Sequence, residues 1–596
     1  MHFRKIHIIP LVILSMIVVG VASLTILIQT PQDIRQRAAG TTRADIDFPI
    51  TKKVMILEFD PIIESQGGQR ISQILNANDP HILTDQYIAD IKSTSGGFAN
   101  YEILSWQEID DVPVLKDGFD YTDEQYLACA QNAVNCHNPS GTDYNKIITT
   151  YDLCNKRNSG EIDEVWMWDV GGMGFYEAVM TGGPQAFHTN GPPVTNTTCQ
   201  KALHIMGFNA IRAVGEMLES FGHRVEGTLS YVFGEDPRWA PYPHNTDWGK
   251  FAIWDKAVPG QAGCGWTHYP HNGVQDYDWS NQTLASTNCE DWLNYPNLTG
   301  FRETINCSRW NCDGYRFKYM WLSHLPKYKG VRKSKLINWW HYILDYEEAQ
   351  RSLNVIDSGS SDVNSSCRFL PSNNEIYFGT DESCTQTSDF TAGFHFIGIK
   401  LEKAQIISGT YLSFTVDGPY SNSLELEIIA EAIDNAVPFS ETHQPSDVNY
   451  TQNRATWIVD QNWTLGNTVN TPNLAPVINE IISRPGWQSG NSINIIVRNK
   501  SGSGHRRIFA YERDSERAAG LSFIFAHPFP TPSPSPTVLP SSSILPSTSP
   551  SPNYTILELK SLIKNYQVAN DSEYKPIDGK INMLDTGWVM KWLKTN

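Results

Sequence analysis

Ala202–Gly227, ALHIMGFNAIRAVGEMLESFGHRVEG, closes a longer stretch from Glu161 whose reading decides the fold. The spacing across that stretch predicts a buried strand, a glycine loop and then an amphipathic helix. Met206, Ala210, Ala213, Val214, Met217 and Phe221 fall on one side at helical spacing. Arg212, Glu216 and Glu219 fall on the other, because residues three or four apart share a helix face. Gly222 is a natural stop signal, so the helix is expected to end there, with His223, Arg224 and Glu226 just beyond it. Three carboxylates, an imidazole and a guanidinium then gather within about two helical turns. A solvated face laced with ion pairs accounts for the same residues.

Upstream, Lys53–Phe59 (KVMILEF) is an apolar run without alternation, followed closely by Asp60 and Pro61. Such a run suits a strand covered on both faces, as in parallel sheets. Helices are expected at Ile82–Ile91, Tyr121–Ala133 and Tyr144–Leu153, and strands at Tyr101–Trp106 and Glu164–Trp168. The alternation predicts an α/β domain over 51–356. Ligands of open α/β sheets sit beyond the carboxyl ends of the strands, where Glu58, Asp60 and Asp169 fall. The loop after Asp169, Val170–Gly174 (VGGMG), could offer backbone amides to an anion, although it is neither a Walker loop nor GxGxxG.

From Gly227 onward aromatics crowd in: ten of the chain's 18 tryptophans lie between Trp239 and Trp340. Two phrases stand out, THYPHNGVQDYDW (Thr267–Trp279) and CEDWLNYPNLTGFRETINC (Cys289–Cys307). Rings at this density fill a disulfide-stapled core or stack on sugars. Arg212, His268, His271, Trp279 and Trp292 are the candidate substrate-binding residues. Closing helices are expected at Tyr319–Leu325 and Leu336–Tyr346. Through DEVW, MGFN, GEMLESFGHR and DWLNYPNLTG the region Lys53–Tyr346 resembles an uncharacterised family of secreted bacterial proteins. That resemblance implies one coherent domain and brings no mechanism.

The net charge of -18 over 596 residues argues against a nucleic-acid partner, whose phosphates call for a basic surface. Residues 1–29 carry a short basic start and an apolar run, Ile8–Ile28, long enough to cross a bilayer. They are read as a signal anchor that holds an extracytoplasmic protein at the cell membrane by a single pass; cleavage would release a secreted form. Residues 30–50 read as a polar spacer. Eight cysteines between Cys129 and Cys312, with Cys367 and Cys384 apart, predict disulfides in an exported chain.

The serine-rich segment 357–366 reads as a linker. From 367 to 526 short alternating runs separated by turn residues predict an all-β sandwich. FTVDGPYSNSLELEIIAEA, RPGWQSGNSINIIVRN and HRRIFAYERDS resemble bacterial extracellular jelly-roll modules, some of which bind carbohydrate. A Pro/Ser linker, 527–552, precedes a small helical unit, 553–596. There Asp578, Gly579, Asn582 and Asp585 resemble the second half of a dockerin or EF-hand calcium loop. Tyr574 and Pro576 stand where the first two carboxylates belong, and one degenerate motif in place of the usual pair argues against a cohesin-type partner.

Three functions fit these residues. Glu58, Asp60, Asp169, Glu177, Glu216 and Glu226 offer carboxyl pairs for cleaving a polysaccharide, with His223 beside them. His223 and Glu226, completed by His268, His271 or His324, offer a divalent metal site in the α/β domain for amide or ester hydrolysis. A glycan-binding or adhesion head without catalysis uses the same surfaces. GxSxG is missing, and the cysteines are committed to disulfides, so serine and thiol hydrolases fall behind.

Overall fold

The computed structural model describes residues 49–525 except 184–185, 238–243, 366–367, 371–373 and 382–387. It has mixed α/β content with several sheets. The first sheet is built from β1 (Ile50–Phe59), β2 (Ala99–Ile109), β3 (Glu164–Asp169), β4 (Ala178–Thr181) and β5 (Leu203–Asn209). Their order is β2-β1-β3-β5-β4. Every neighbouring pair is parallel except β5 with β4. All six residues of β3 are buried, as an unalternating apolar strand requires. Helix α1 (Pro80–Thr94) starts where Asp79 accepts the His81 amide hydrogen and Pro80 fills the first turn. Its Tyr87 packs against Trp166 of β3, Phe208 of β5 and Phe221.

Helix α2 spans Val214–Phe233 and ends at Gly234, which takes a left-handed φ of 66°. It therefore runs through Gly222, and His223, Arg224 and Glu226 lie within it. Met206, expected on the helix, belongs to β5. Gly222 serves close approach: a Cβ there would lie 2.3 Å from the Thr267 hydroxyl oxygen. Gly227 does the same for the 188–189 backbone, with Thr189 Cα 2.6 Å from the position of a Cβ. Arg224 is fully buried and pins α2 to the sheet, with two 2.8 Å hydrogen bonds to the Glu164 carboxylate and one from Nε to the Ile343 carbonyl.

The aromatic-rich extension is chiefly core. Trp248, Trp266, Trp292, Trp321, Trp339 and Trp340 are at most 1% exposed. Helix α3 (Gly314–Ser323) packs along α2, bringing Tyr315 against Gly215. The closing helix expected at Leu336–Tyr346 is two short ones, Trp340–Leu344 and Tyr346–Arg351. Among the described residues four disulfides join Cys129 to Cys136, Cys154 to Cys199, Cys264 to Cys289 and Cys307 to Cys312. Cys367 and Cys384 lie outside the described residues.

The linker expected at 357–366 is instead strand through Ser365: Leu353–Ser365 pairs with Thr391–Phe396 and, at its start, with Gly520–Phe525. Backbone pairing does not depend on the polar composition that suggested a linker. Beyond it the alternation is realised; in Leu424–Ala430 (LELEIIA), Leu424, Leu426, Ile428 and Ala430 enter one apolar core. Helix Ala475–Ile482 has no counterpart in the sequence reading. Among the described residues no helix is long and apolar enough to cross a membrane. The anchor expected at 1–29 and the calcium residues Asp578, Asn582 and Asp585 lie outside them.

Candidate functional site

The strand ends do not form the expected crevice. Asp60 uses its carboxylate to receive the Ser72 amide (2.9 Å) and hydroxyl (2.6 Å) hydrogens. Asp169, buried at the end of β3, receives the Met173 amide hydrogen at 3.3 Å, so the VGGMG amides are turned on the chain's own carboxylate and not on an anion. Burial pushes the Asp169 carboxyl up to about 6, against the Gly171 and Met173 amides and the Arg212 charge. Tyr126 donates to the Gly171 carbonyl, and Cys129 of the Cys129–Cys136 disulfide fills the space over Gly172. Glu58 belongs to a separate group. It accepts the Trp106 indole hydrogen at 2.6 Å and, with His81 and Glu108, brings ligand atoms within 4.8 Å of one another. His81 stacks on Trp106, and Arg70 pairs with Glu108 at 3.3 Å. Burial raises the Glu58 carboxyl above its ordinary range.

The cluster that does form lies along the flank of α2. Because α2 continues past Gly222, Glu219, His223 and Glu226 follow one another at helical spacing on a single face. Glu177, just ahead of β4, reaches His223 Nε2 at 3.1 Å, and Arg212 stands 3.7 Å from its other oxygen. Glu226 Oε2 holds His223 Nδ1 at 3.1 Å while Oε1 accepts the Thr267 amide hydrogen at 2.9 Å. The loop that Gly222 admits so closely therefore delivers His268. Its Nε2 lies 3.0 Å from Glu219 Oε1, its Nδ1 3.5 Å from Asp276, and its ring 4.7 Å from that of His223. Lys318 of α3, buried, donates to Glu219 Oε2 at 2.6 Å. Tyr277, 53% exposed, lies against the His268 ring, and Trp279 stands next to it under the Lys318 ammonium.

Burial raises the Glu177 carboxyl against the pull of His223. Burial would raise Glu219 too, but its hydrogen bond to His268 and the Lys318 charge outweigh it and hold that carboxyl at about 2. Burial would lower His223, yet Glu226, Glu177 and Glu219 raise it.

Of the residues singled out in the sequence, Glu177, Arg212, Glu219, His223, Glu226 and His268 meet here, with Trp279 at the edge. Others do not. Glu216 caps its own helix by accepting the Ala213 amide hydrogen. His271 is buried, with Nε2 on the Ile305 carbonyl, and burial lowers it to about 4. Trp292 packs among Phe251, Tyr295 and Trp339, leaving no face for a sugar. His324 pairs with Glu290 at 3.3 Å. Sequence reading missed Asp276 and Tyr277 as site residues although both stand in THYPHNGVQDYDW; Lys318 carried no signal at all.

No protein-family model matches the chain, and no curated protein matches it. Among solved structures, a family 11 carbohydrate-binding module of a cellulosomal cellulase of Clostridium thermocellum is similar over 29% of this chain and 95% of its own, at 10% identity and a TM-score of 0.12. A meso-active, thermo-stable cellulase derived from one of Rhodothermus marinus is similar over 29% of this chain and 89% of its own, at 13% identity and a TM-score of 0.12. Likeness at that level carries no argument about function.

Proposed function

We propose that the chain is an exported hydrolase acting on an extracellular polymer, with its reaction centre at the α2 cluster. One observation carries the reading: Glu177, Glu219 and Glu226 converge on His223 and His268 at a partly exposed position flanked by Arg212 and Tyr277. Hydrolysis needs a group to take and return a proton, a group to meet developing negative charge, and a surface to hold the substrate. Glu177 is the acid–base group, since its carboxylate is partly exposed beside a fixed imidazole. Arg212, with a side chain 54% exposed, faces the charge that builds on the substrate. Tyr277 supplies the flat apolar surface on which a sugar ring stacks. Four disulfides support export from the cytoplasm.

The test is turnover on a panel of polysaccharides, peptides and esters by the full chain and by Glu177→Gln. Losing a positioned acid–base group is expected to cost about 10²–10⁴-fold in rate with the fold retained. The reading fails if the wild type cleaves nothing or if Glu177→Gln leaves cleavage unchanged. Glycan binding without turnover, surviving that substitution, would point to a binding head.

A further inference from the structure

We infer that Glu219, His223 and His268 form the binding site of one divalent first-row transition ion, with Glu226 and Asp276 as the carboxylates that orient the two imidazoles. The inference deepens the hydrolase reading and rests on the same cluster. Ligand atoms of the three residues lie within 4.8 Å of one another. Ligands about 2.0–2.2 Å from a tetrahedral ion sit roughly 3.3–3.6 Å apart, so the 3.0 Å between His268 Nε2 and Glu219 Oε1 needs only a small opening.

The second set of contacts separates this group from an ordinary ion-pair network. A metal-binding histidine characteristically gives its other ring nitrogen to a carboxylate, which fixes the tautomer and aims the remaining lone pair. Both imidazoles are so arranged: Nδ1 of His223 meets Glu226 and Nδ1 of His268 meets Asp276, leaving both Nε2 atoms toward Glu219 and Glu177. The ligating carboxylate is held as well, with Glu219 Oε2 on Lys318 while Oε1 faces His268. This reverses the role that spacing alone gave Glu226, since its carboxylate occupies the nitrogen that points away from the ion. Charge agrees: four carboxylates, Glu177, Glu219, Glu226 and Asp276, face two cations, Arg212 and Lys318, and with neutral imidazoles the excess is what one dication cancels. Two imidazoles and one carboxylate are the donor set of zinc and non-haem iron(II) sites. The partly exposed side, where Glu177 stands, is left for water or substrate.

The experiment titrates chelator-treated full chain with Zn²⁺ and Co²⁺, following heat, visible absorption and thermal melting. Expected are one ion at this site per wild-type chain and a raised melting temperature. His268→Ala, at a half-buried ring, should abolish the shift, whereas Glu226→Gln should weaken binding by about 10–100-fold. Loss in His81→Ala with retention in His268→Ala would overturn the assignment in favour of the Glu58 group, and so would no binding at all. X-ray absorption on the wild type answers the case in which His268→Ala does not fold: two imidazoles and a carboxylate are expected, and an oxygen-only shell overturns the site. Hydrolysis by the ion-free chain would remove the ion from the reaction and leave the hydrolase reading standing. Ion binding with no turnover on any substrate would do the reverse.

Discussion

Asp169 is a carboxyl group that the fold buries and then wraps in its own following loop. Burial raises it from the ordinary carboxylate range to about 6, so the folded chain holds this proton more tightly than the unfolded chain. The stability linked to that proton is fully present below about pH 4 and is lost as pH rises through about 6, a difference on the order of 3 kcal/mol. Asn in its place keeps an oxygen for the Met173 amide and carries no charge to bury. Asp169→Asn is therefore expected to gain stability relative to the wild type between pH 4.5 and pH 7, read as the difference between the two denaturation free energies at each pH. Other carboxyls, Glu219 among them, titrate in both chains and cancel in that comparison. A difference that stays constant with pH would mean that Asp169 is not the buried proton.

At the scale of the element, α2 shows what spacing can and cannot deliver. Its apolar stripe was legible because Val214, Met217 and Phe221 repeat at helical intervals. Its end was not, because a glycine reads equally as a cap or as a point of close approach, and only the partner loop decides between them. The ambiguity bears on the site, since a stop at Gly222 would put His223 and Glu226 outside the helix and out of register with Glu219. The strand-end carboxylates failed for a different reason. Asp60 and Asp169 stand where an α/β sheet places its ligands, but local amides and hydroxyls reach them first. His268 was legible as a residue type and Lys318 was not, since a lysine on an aromatic helix gives no sign of the glutamate it will meet. The glycine can be tested directly. Helix propensity alone would make Gly222→Ala stabilising by about 1 kcal/mol. The Cβ would stand 2.3 Å from the Thr267 hydroxyl, and overpacking of that kind costs about 1–3 kcal/mol. Net destabilisation in urea is expected, together with weakened Co²⁺ binding because the displaced loop carries His268, and Thr267→Ala should restore part of both. A gain in stability from Gly222→Ala would show that the loop yields without cost.

Across the whole molecule, the sheet and the aromatic extension share one apolar core, in which Phe221 stacks on Trp340, while polar contacts tie the extension to the all-β part. Ser413 accepts the Val331 amide hydrogen at 2.7 Å, and Asn297 exchanges two hydrogen bonds with the Thr468 backbone. The four disulfides are unequal constraints because they close loops of different length. Cys307–Cys312 closes a separation of five residues, whereas Cys154–Cys199 closes one of 45 and encloses β3, Glu177 and β4. Chain-entropy arithmetic gives about 4 kcal/mol for the longer loop and about 2 kcal/mol for the shorter. The longer one also ties down the segment that presents Glu177 to His223. Cys154→Ala/Cys199→Ala is therefore expected to lower the urea midpoint of the α/β part further than Cys307→Ala/Cys312→Ala, and to slow hydrolysis under conditions where the chain is still folded. Equal losses from the two pairs would assign the disulfides' effect to local packing at each bridge. A larger loss from the short pair would show that the aromatic extension, not the sheet, is the part of the fold that depends most on its covalent tie.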